Sequence, residues 1–143
     1  MILLWFAAFM AFALSVFARF LVELFLNSRI AILGSFAGFE RSFNHGVAFG
    51  ITFAPSLQMI LIIGALCAVL WMAERGVHTL TEYAGFGLIV GGGLANILDR
   101  IGDGTVTDFI QVGSFPVFNI ADCCITVGVV LLLWGMIINE WRQ

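Results

Sequence analysis

The sequence contains no lysine, and its six arginines face nine acids for a net charge of −3. A nucleic-acid binder needs a basic footprint, so that class is excluded. Charge of either sign is scarce: 10% of the 143 residues carry one, against roughly 25% in a soluble domain. The three cysteines, Cys67, Cys123 and Cys124, all sit in apolar runs. They lack the spacing of a zinc site and read as small buried hydrophobes. What fills the chain is apolar side chain, 62% of it, with a mean hydropathy of +1.09. Such a composition describes a polytopic membrane protein whose solvent is mostly lipid. The length fits one domain, residues 1–143.

Four transmembrane helices are expected, at about 2–26, 57–73, 83–98 and 119–139. The first apolar run has no basic leader. Its core exceeds the roughly 7–15 residues of a signal peptide's apolar region, so it is expected to be a retained helix. Arg19 and Glu23, at i and i+4, can pair near its end, with Ser15 one turn earlier on that face. The stripe fits either a snorkelling interfacial arginine or a polar face turned inward.

Residues 27–56 lose the helical pattern. Gly34, Gly38, Gly46, Gly50 and Pro55 punctuate an otherwise apolar stretch, and RIAILGSF alternates as short strands do. About 30 residues is long for a structureless connection, so a small β element on the membrane surface is expected. It contains FNHGVAFG, residues 43–50, where Asn44 and Gly46 flank His45 and the small residues permit close backbone approach.

Trp71 anchors the second helix at an interface. Glu74 to Glu82 reads as a polar loop in which His78 is solvated. The third helix carries Gly85, Gly87, Gly91, Gly92 and Gly93, a pattern that close helix packing in lipid explains. It ends on Asn96, Asp99 and Arg100, which share one face, before Gly102 and Gly104 break it. An ordinary charged helix end has the same appearance.

The chemistry concentrates in Thr107–Asp122, TDFIQVGSFPVFNIAD. A carboxylate at membrane depth costs roughly 2.5–3.5 kcal/mol on insertion scales, and this stretch holds two, Asp108 and Asp122. Fourteen residues apart, they can meet only if the apolar loop between them folds back. Asn119 is a plausible N-cap for the fourth helix, placing Asp122 in its first turn, where the helix end favours an anion. Asp108, in apolar surroundings beside a like charge, is expected to hold its proton more tightly. Two carboxyl groups sharing a proton are the working unit of an aspartic protease. Asn44, Asn96, Arg100 and Asn119 would orient them or bind substrate backbone. Capped helix ends and surface charges account for the same spacing equally well.

The residues then resemble a known family, the lipoprotein signal peptidases or signal peptidase II. FNHGVAFG is similar to its Asn-x-Gly-x-Ala-Phe block, and GGGLANILDR to its Gly-Gly-x-x-Gly-Asn-x-x-Asp-Arg block, with Ala95 where the family prefers glycine. GTVTDF and FNIAD are similar to the blocks that carry its two catalytic acids. The four blocks occur in family order.

The resemblance implies a four-helix all-α membrane protein with a small periplasmic β-cradle between helices 1 and 2. Catalysis would fall to Asp108 and Asp122, with Asn44, Gly46, Asn96, Asp99, Arg100, Asn119 and Ala121 in support. It implies cleavage of diacylglyceryl-modified bacterial prolipoproteins just before the lipidated cysteine, contact with membrane lipids, inhibition by the peptide antibiotic globomycin, and no cofactor. It also implies an inner-membrane location, termini in the cytoplasm and a site facing the periplasm. Arginine counts do not favour that orientation: Arg75 and Arg142 would lie inside, Arg29, Arg41 and Arg100 outside.

One departure stands out. Where the family's first helix carries Asp-x-x-Ser/Thr-Lys, this chain has Ser15-Val16-Phe17-Ala18-Arg19, and Glu23 is a candidate to replace the missing carboxylate. That change motivates an alternative, a non-catalytic relative that binds or scaffolds lipoproteins. A third reading, a channel or transporter subunit using Asp99, Arg100, Asp108 and Asp122 as an ion path, would make the four blocks coincidental.

Overall fold

The computed structural model describes residues 1–46, 54–76 and 79–140. Four helices, α1 (Ile2–Phe25), α2 (Pro55–Arg75), α3 (Leu80–Asp103) and α4 (Ile120–Glu140), are joined by three strands, β1 (Ile30–Leu33), β2 (Ala37–Asn44) and β3 (Val106–Val112). All four helices are long and apolar enough to cross a membrane. Exposed Phe6, Phe9, Phe17, Ile60 and Trp134 give the bundle an apolar outer surface, as lipid solvent requires.

α3 is the central helix, and its glycines explain why. Each faces a different neighbour. A Cβ on Gly87 or Gly91 would run into the carbonyls of Leu4 and Ala8 on α1. One on Gly85 would lie 2.8 Å from the Gly128 carbonyl, and one on Gly92 2.6 Å from the Ala121 carbonyl, both on α4. One on Gly93 would lie 2.6 Å from the Leu66 side chain on α2. α1 and α4 thus approach α3 at backbone distance, and α2 packs the Leu66 side chain into it; van der Waals contact of this kind replaces the absent hydrophobic drive.

α3 is also longer than its expected 83–98. Glu82, expected in a loop, lies inside it. Thr79 and Glu82 form a reciprocal capping box, the Thr79 N–H donating to Glu82 Oε2 at 2.7 Å and the Glu82 N–H to Thr79 Oγ1 at 3.2 Å. At the far end Gly102 stays helical. Gly104, at φ +82°, ends the helix, the left-handed conformation glycine adopts most readily. Asn96, Asp99 and Arg100 therefore lie within α3, the last two buried.

The β element between α1 and α2 forms as expected but needs a third strand. Residues 109–112, expected as apolar loop, belong to strand β3, Val106–Val112. The sheet is antiparallel in the order β1-β2-β3, with Ser42 opposite Asp108 and Asn44 opposite Val106. Heavy burial hides the alternation that marks a strand: Val106 to Phe109 are all buried. The expected placements of Ala48, Phe49, Gly50, His78, Trp141 and Arg142 lie outside the described residues.

Candidate active site

The fold-back between the two acids is built by hydrogen bonds. Gly113, at φ +56°, turns the chain after β3. The returning segment then pairs with the strand it left: the Phe109 and Ile110 N–H groups donate to the Phe118 carbonyl at 3.0 and 2.8 Å, and the Phe118 N–H to the Ile110 carbonyl at 3.1 Å. This pairing sets Asn119 beside Asp108.

Asn119 also caps α4. The Asp122 N–H donates to its Oδ1 at 3.0 Å, and the Asn119 N–H donates to Asp122 Oδ2 at 3.2 Å. With both groups held at the cap, Asn119 Nδ2 donates to Asp108 Oδ1 at 2.7 Å and to Asn96 Oδ1 at 3.2 Å. Asn96 in turn donates to Asp122 Oδ1 at 3.0 Å. Two asparagine side chains thus link the acids, each carboxylate receiving an amide N–H.

On its other oxygen, Asp108 Oδ2 accepts from Asn44 Nδ2 at 2.9 Å. The two residues are diagonal neighbours on one face of the β2–β3 ladder, close enough for side chains to meet. A register shift in β2 between Phe39 and Ser42 bends the strand just before this contact. Both acids line a cavity of about 360 Å³ together with Asn44, Asn96 and Arg100, its walls continuing to Phe115 and Ile125. The size suits a peptide segment. Burial pushes the Asp108 carboxyl up to about 6 from 3.8, the Asn44 hydrogen bond works against that, and the nearby Asp122 charge adds to it. An acid that holds its proton up to about pH 6 can donate it.

Behind the pair lies a second layer. Asp99 Oδ2 accepts the Thr107 N–H at 2.7 Å, fixing β3 one residue before Asp108. Asp103 helps make the turn into β3, its Oδ1 accepting from both the Thr105 N–H and hydroxyl. Arg19 of α1 reaches across to Asp99, Nε to Oδ1 at 2.6 Å. The N–H is not aimed at the oxygen, so the contact is an ion pair without an aligned hydrogen bond. The altered first-helix motif is therefore engaged with the layer behind the site. Glu23 lies 3.7 Å from Arg19 and is half-exposed. It touches neither acid.

Arg100 Nη2 donates to the Gly46 carbonyl at 2.6 Å, and the same carbonyl accepts from Gln58 Nε2 at 3.0 Å. Gln58 is the contributor that sequence reasoning missed. The available signal was an amide in the first turn of a helix that is apolar from there to Glu74. Ala121 is buried against Gly92 of α3 and seats the first turn of α4. Among the described residues, no group of three or more His, Cys, Asp or Glu side chains could hold a metal ion.

The family model described as signal peptidase (SPase) II matches residues 7–138 of the chain. A lipoprotein signal peptidase from Chlorobium luteolum is 36% identical over 122 residues, covering 76% of this chain and 73% of the relative. Another, from Moorella thermoacetica, is 32% identical over 124 residues, covering 82% and 79%. Two solved structures, each described as a bacterial membrane enzyme, share the fold. One has a TM-score of 0.87 over 96% of this chain and 89% of its own at 24% identity; the other has 0.81 over 92% and 90% at 25%.

Proposed function

The chain belongs to the signal peptidase II family, and on that footing we propose that it is a membrane aspartic endopeptidase acting on prolipoproteins, with Asp108 and Asp122 as its catalytic pair. The observation that carries this reading is the placement of the two carboxyl groups on one cavity, linked through Asn119 and Asn96.

Asp122 takes a proton from a water molecule, whose oxygen adds to the scissile carbonyl carbon. Asp108 gives its proton to the carbonyl oxygen as charge develops there. On collapse, the diol returns a proton to Asp108, the C–N bond breaks, and the departing nitrogen takes the proton held by Asp122. Both acids end as they began. Asn44 and Asn119 keep Asp108 oriented throughout, and Arg100 stabilises the negative charge that the pair shares.

Family membership supports the substrate class, prolipoproteins; the proposed cut falls before a cysteine carrying a diacylglyceryl group. The lipid would hold the peptide at the membrane, and the exposed apolar residues of the sheet and its β1–β2 turn, among them Ile32, Phe36 and Phe43, suit a surface that lies against lipid and lipidated peptide. Residues 1–143 act as a single membrane domain in the inner membrane, termini in the cytoplasm and cavity toward the periplasm.

Purified protein in lipid should convert a diacylglyceryl-modified prolipoprotein to a smaller product on a gel and should be blocked by globomycin. It should leave the unlipidated precursor intact. Equal cutting of both precursors, or of neither, would remove the proposal.

A further inference from the structure

The buried amide of Gln58 is 3% exposed, in the first turn of a helix that is apolar from Met59 to Ala73. In such surroundings a primary amide costs free energy unless its groups are bonded. Its Nε2 donates to the Gly46 carbonyl at 3.0 Å, which also receives Arg100 Nη2 at 2.6 Å. One carbonyl held by donors from α2 and α3 fixes the position of Gly46. The Gly46 N–H in turn donates to Asn44 Oδ1 at 2.8 Å. An asparagine whose oxygen is so engaged must present its NH₂ elsewhere, and here that group donates to Asp108 Oδ2.

We propose that Gln58 is a positioning residue for the acid pair: by pinning Gly46 it sets which way the Asn44 amide points, and so keeps a donor on Asp108. Arg100 alone does not fix the carbonyl in the same way. A single donor leaves it free to swing about that contact, whereas two donors from different helices hold it from both sides. Gln58 touches no reacting atom. Its action runs through Gly46 and Asn44 to Asp108, and it ties the entry of α2 to the site.

The proposal rests on the reading of Asp108 as a catalytic acid, and pH dependence is its natural readout. The groups facing the Asp108 carboxyl are Asn44 from β2, Arg100 and Asn96 from α3, and Asn119 and Asp122 from the start of α4. Removing Gln58 leaves all of them in the chain and changes only how firmly the first is aimed.

The experiment measures kcat and KM for a diacylglyceryl-modified prolipoprotein between pH 5 and 9 in wild type, Gln58→Met, Asn44→Ala and the double variant. Methionine keeps the length and loses the donor. Gln58→Met should lower kcat about tenfold, as expected for the loss of an orienting hydrogen bond, with KM changed less than about twofold. Its alkaline limb should move to higher pH, and the double variant should move no further than Asn44→Ala alone. A limb that stays at the wild-type pH in Gln58→Met, or shifts that add in full in the double variant, overturns the proposal. If the methionine variant does not insert, Gln58→Asn, whose amide falls one methylene short of Gly46, carries the same test.

Wild type that cuts no lipidated prolipoprotein would end the reading of the reaction instead. Gln58 would then be judged without turnover, by the infrared carboxyl band of Asp108, identified by its loss in Asp108→Asn. Titration of that band at higher pH in Gln58→Met supports the role. An unmoved titration removes it.

Discussion

The side-chain amide of Asn119 lies 2.7 Å from a carboxyl oxygen of Asp108, while the same residue's backbone N–H and side-chain oxygen hold Asp122 at the start of α4. One residue is therefore both helix cap and spacer between two acids. Replacing it should act on both functions. Asn119→Ala loses a cap worth about 1 kcal/mol, so Tm should fall by a few degrees. It also removes one donor from the Asp108 carboxyl and the bond that holds Asn96, the donor to Asp122, so kcat should fall at least about a hundredfold, the lower range for lost general acid–base catalysis. Thermal unfolding and a cleavage assay on one preparation separate the two effects.

The raised Asp108 carboxyl gives a signed pH dependence. Its value in the folded protein, about 6, lies above its ordinary 3.8 because burial disfavours the charged form. The stability tied to this group is therefore fully present below 3.8 and lost as pH rises through about 6. The Asp108→Asn variant has no such loss. Relative to wild type, its stability should increase between pH 4 and pH 8, by at most about 3 kcal/mol, readable as a Tm difference that grows with pH. Cleavage by wild type should decline over the same window as the proton needed for donation is lost.

Arg19 tests the layer behind the site. Asp99 is buried and carries the Thr107 N–H on one oxygen and the Arg19 contact on the other. Removing the cation leaves a buried carboxylate without its counter-charge, a change that costs about 3–5 kcal/mol where a pair is fully buried. Arg19 is about a third exposed, and solvent screening brings the expected loss for Arg19→Ala nearer 1–2 kcal/mol. Adding Asp99→Asn should recover part of it, because the stranded charge is gone. Glu23→Gln should change stability by less than about 0.5 kcal/mol. Denaturation of wild type and these three variants in one detergent checks the three values.

The glycines of α3 are legible in the sequence as a packing motif, but the pattern does not say which neighbour each one meets. Gly92 meets the Ala121 carbonyl, one residue before Asp122. Gly92→Ala should therefore push the first turn of α4 and lower cleavage more than it lowers stability. A Cβ added at Gly64 on α2 would meet nothing within 4 Å. Gly64→Ala should be neutral, or stabilising by up to about 1 kcal/mol through helix propensity. Comparing their Tm and kcat values decides whether the close approach at Gly92 serves the site.

Much of the site can be read from the chain because its chemistry is costly in lipid. Asp108, Asp122, Asn119 and Arg100 are polar groups in apolar runs, and each needs a reason to be there. Strand β3 escapes such a reading because a strand buried on both faces loses its alternation. The extension of α3 past Leu98 escapes it because Gly102 has the look of a stop, although only Gly104 takes the left-handed conformation that ends the helix. The link from Arg19 to Asp99 joins residues eighty positions apart, and no local pattern encodes it. Gln58 goes unnoticed because a single amide in a spanning helix carries no periodic signal.

The central claim is that the carboxyl groups of Asp108 and Asp122 together cut the peptide bond. The direct measurement is the single-turnover rate of cleavage of a diacylglyceryl-modified prolipoprotein by wild type, Asp108→Asn and Asp122→Asn, each shown by its circular dichroism and gel filtration to be inserted and folded. The account predicts a fall of at least about a thousandfold in both variants. Cleavage by either variant within tenfold of wild type would contradict it.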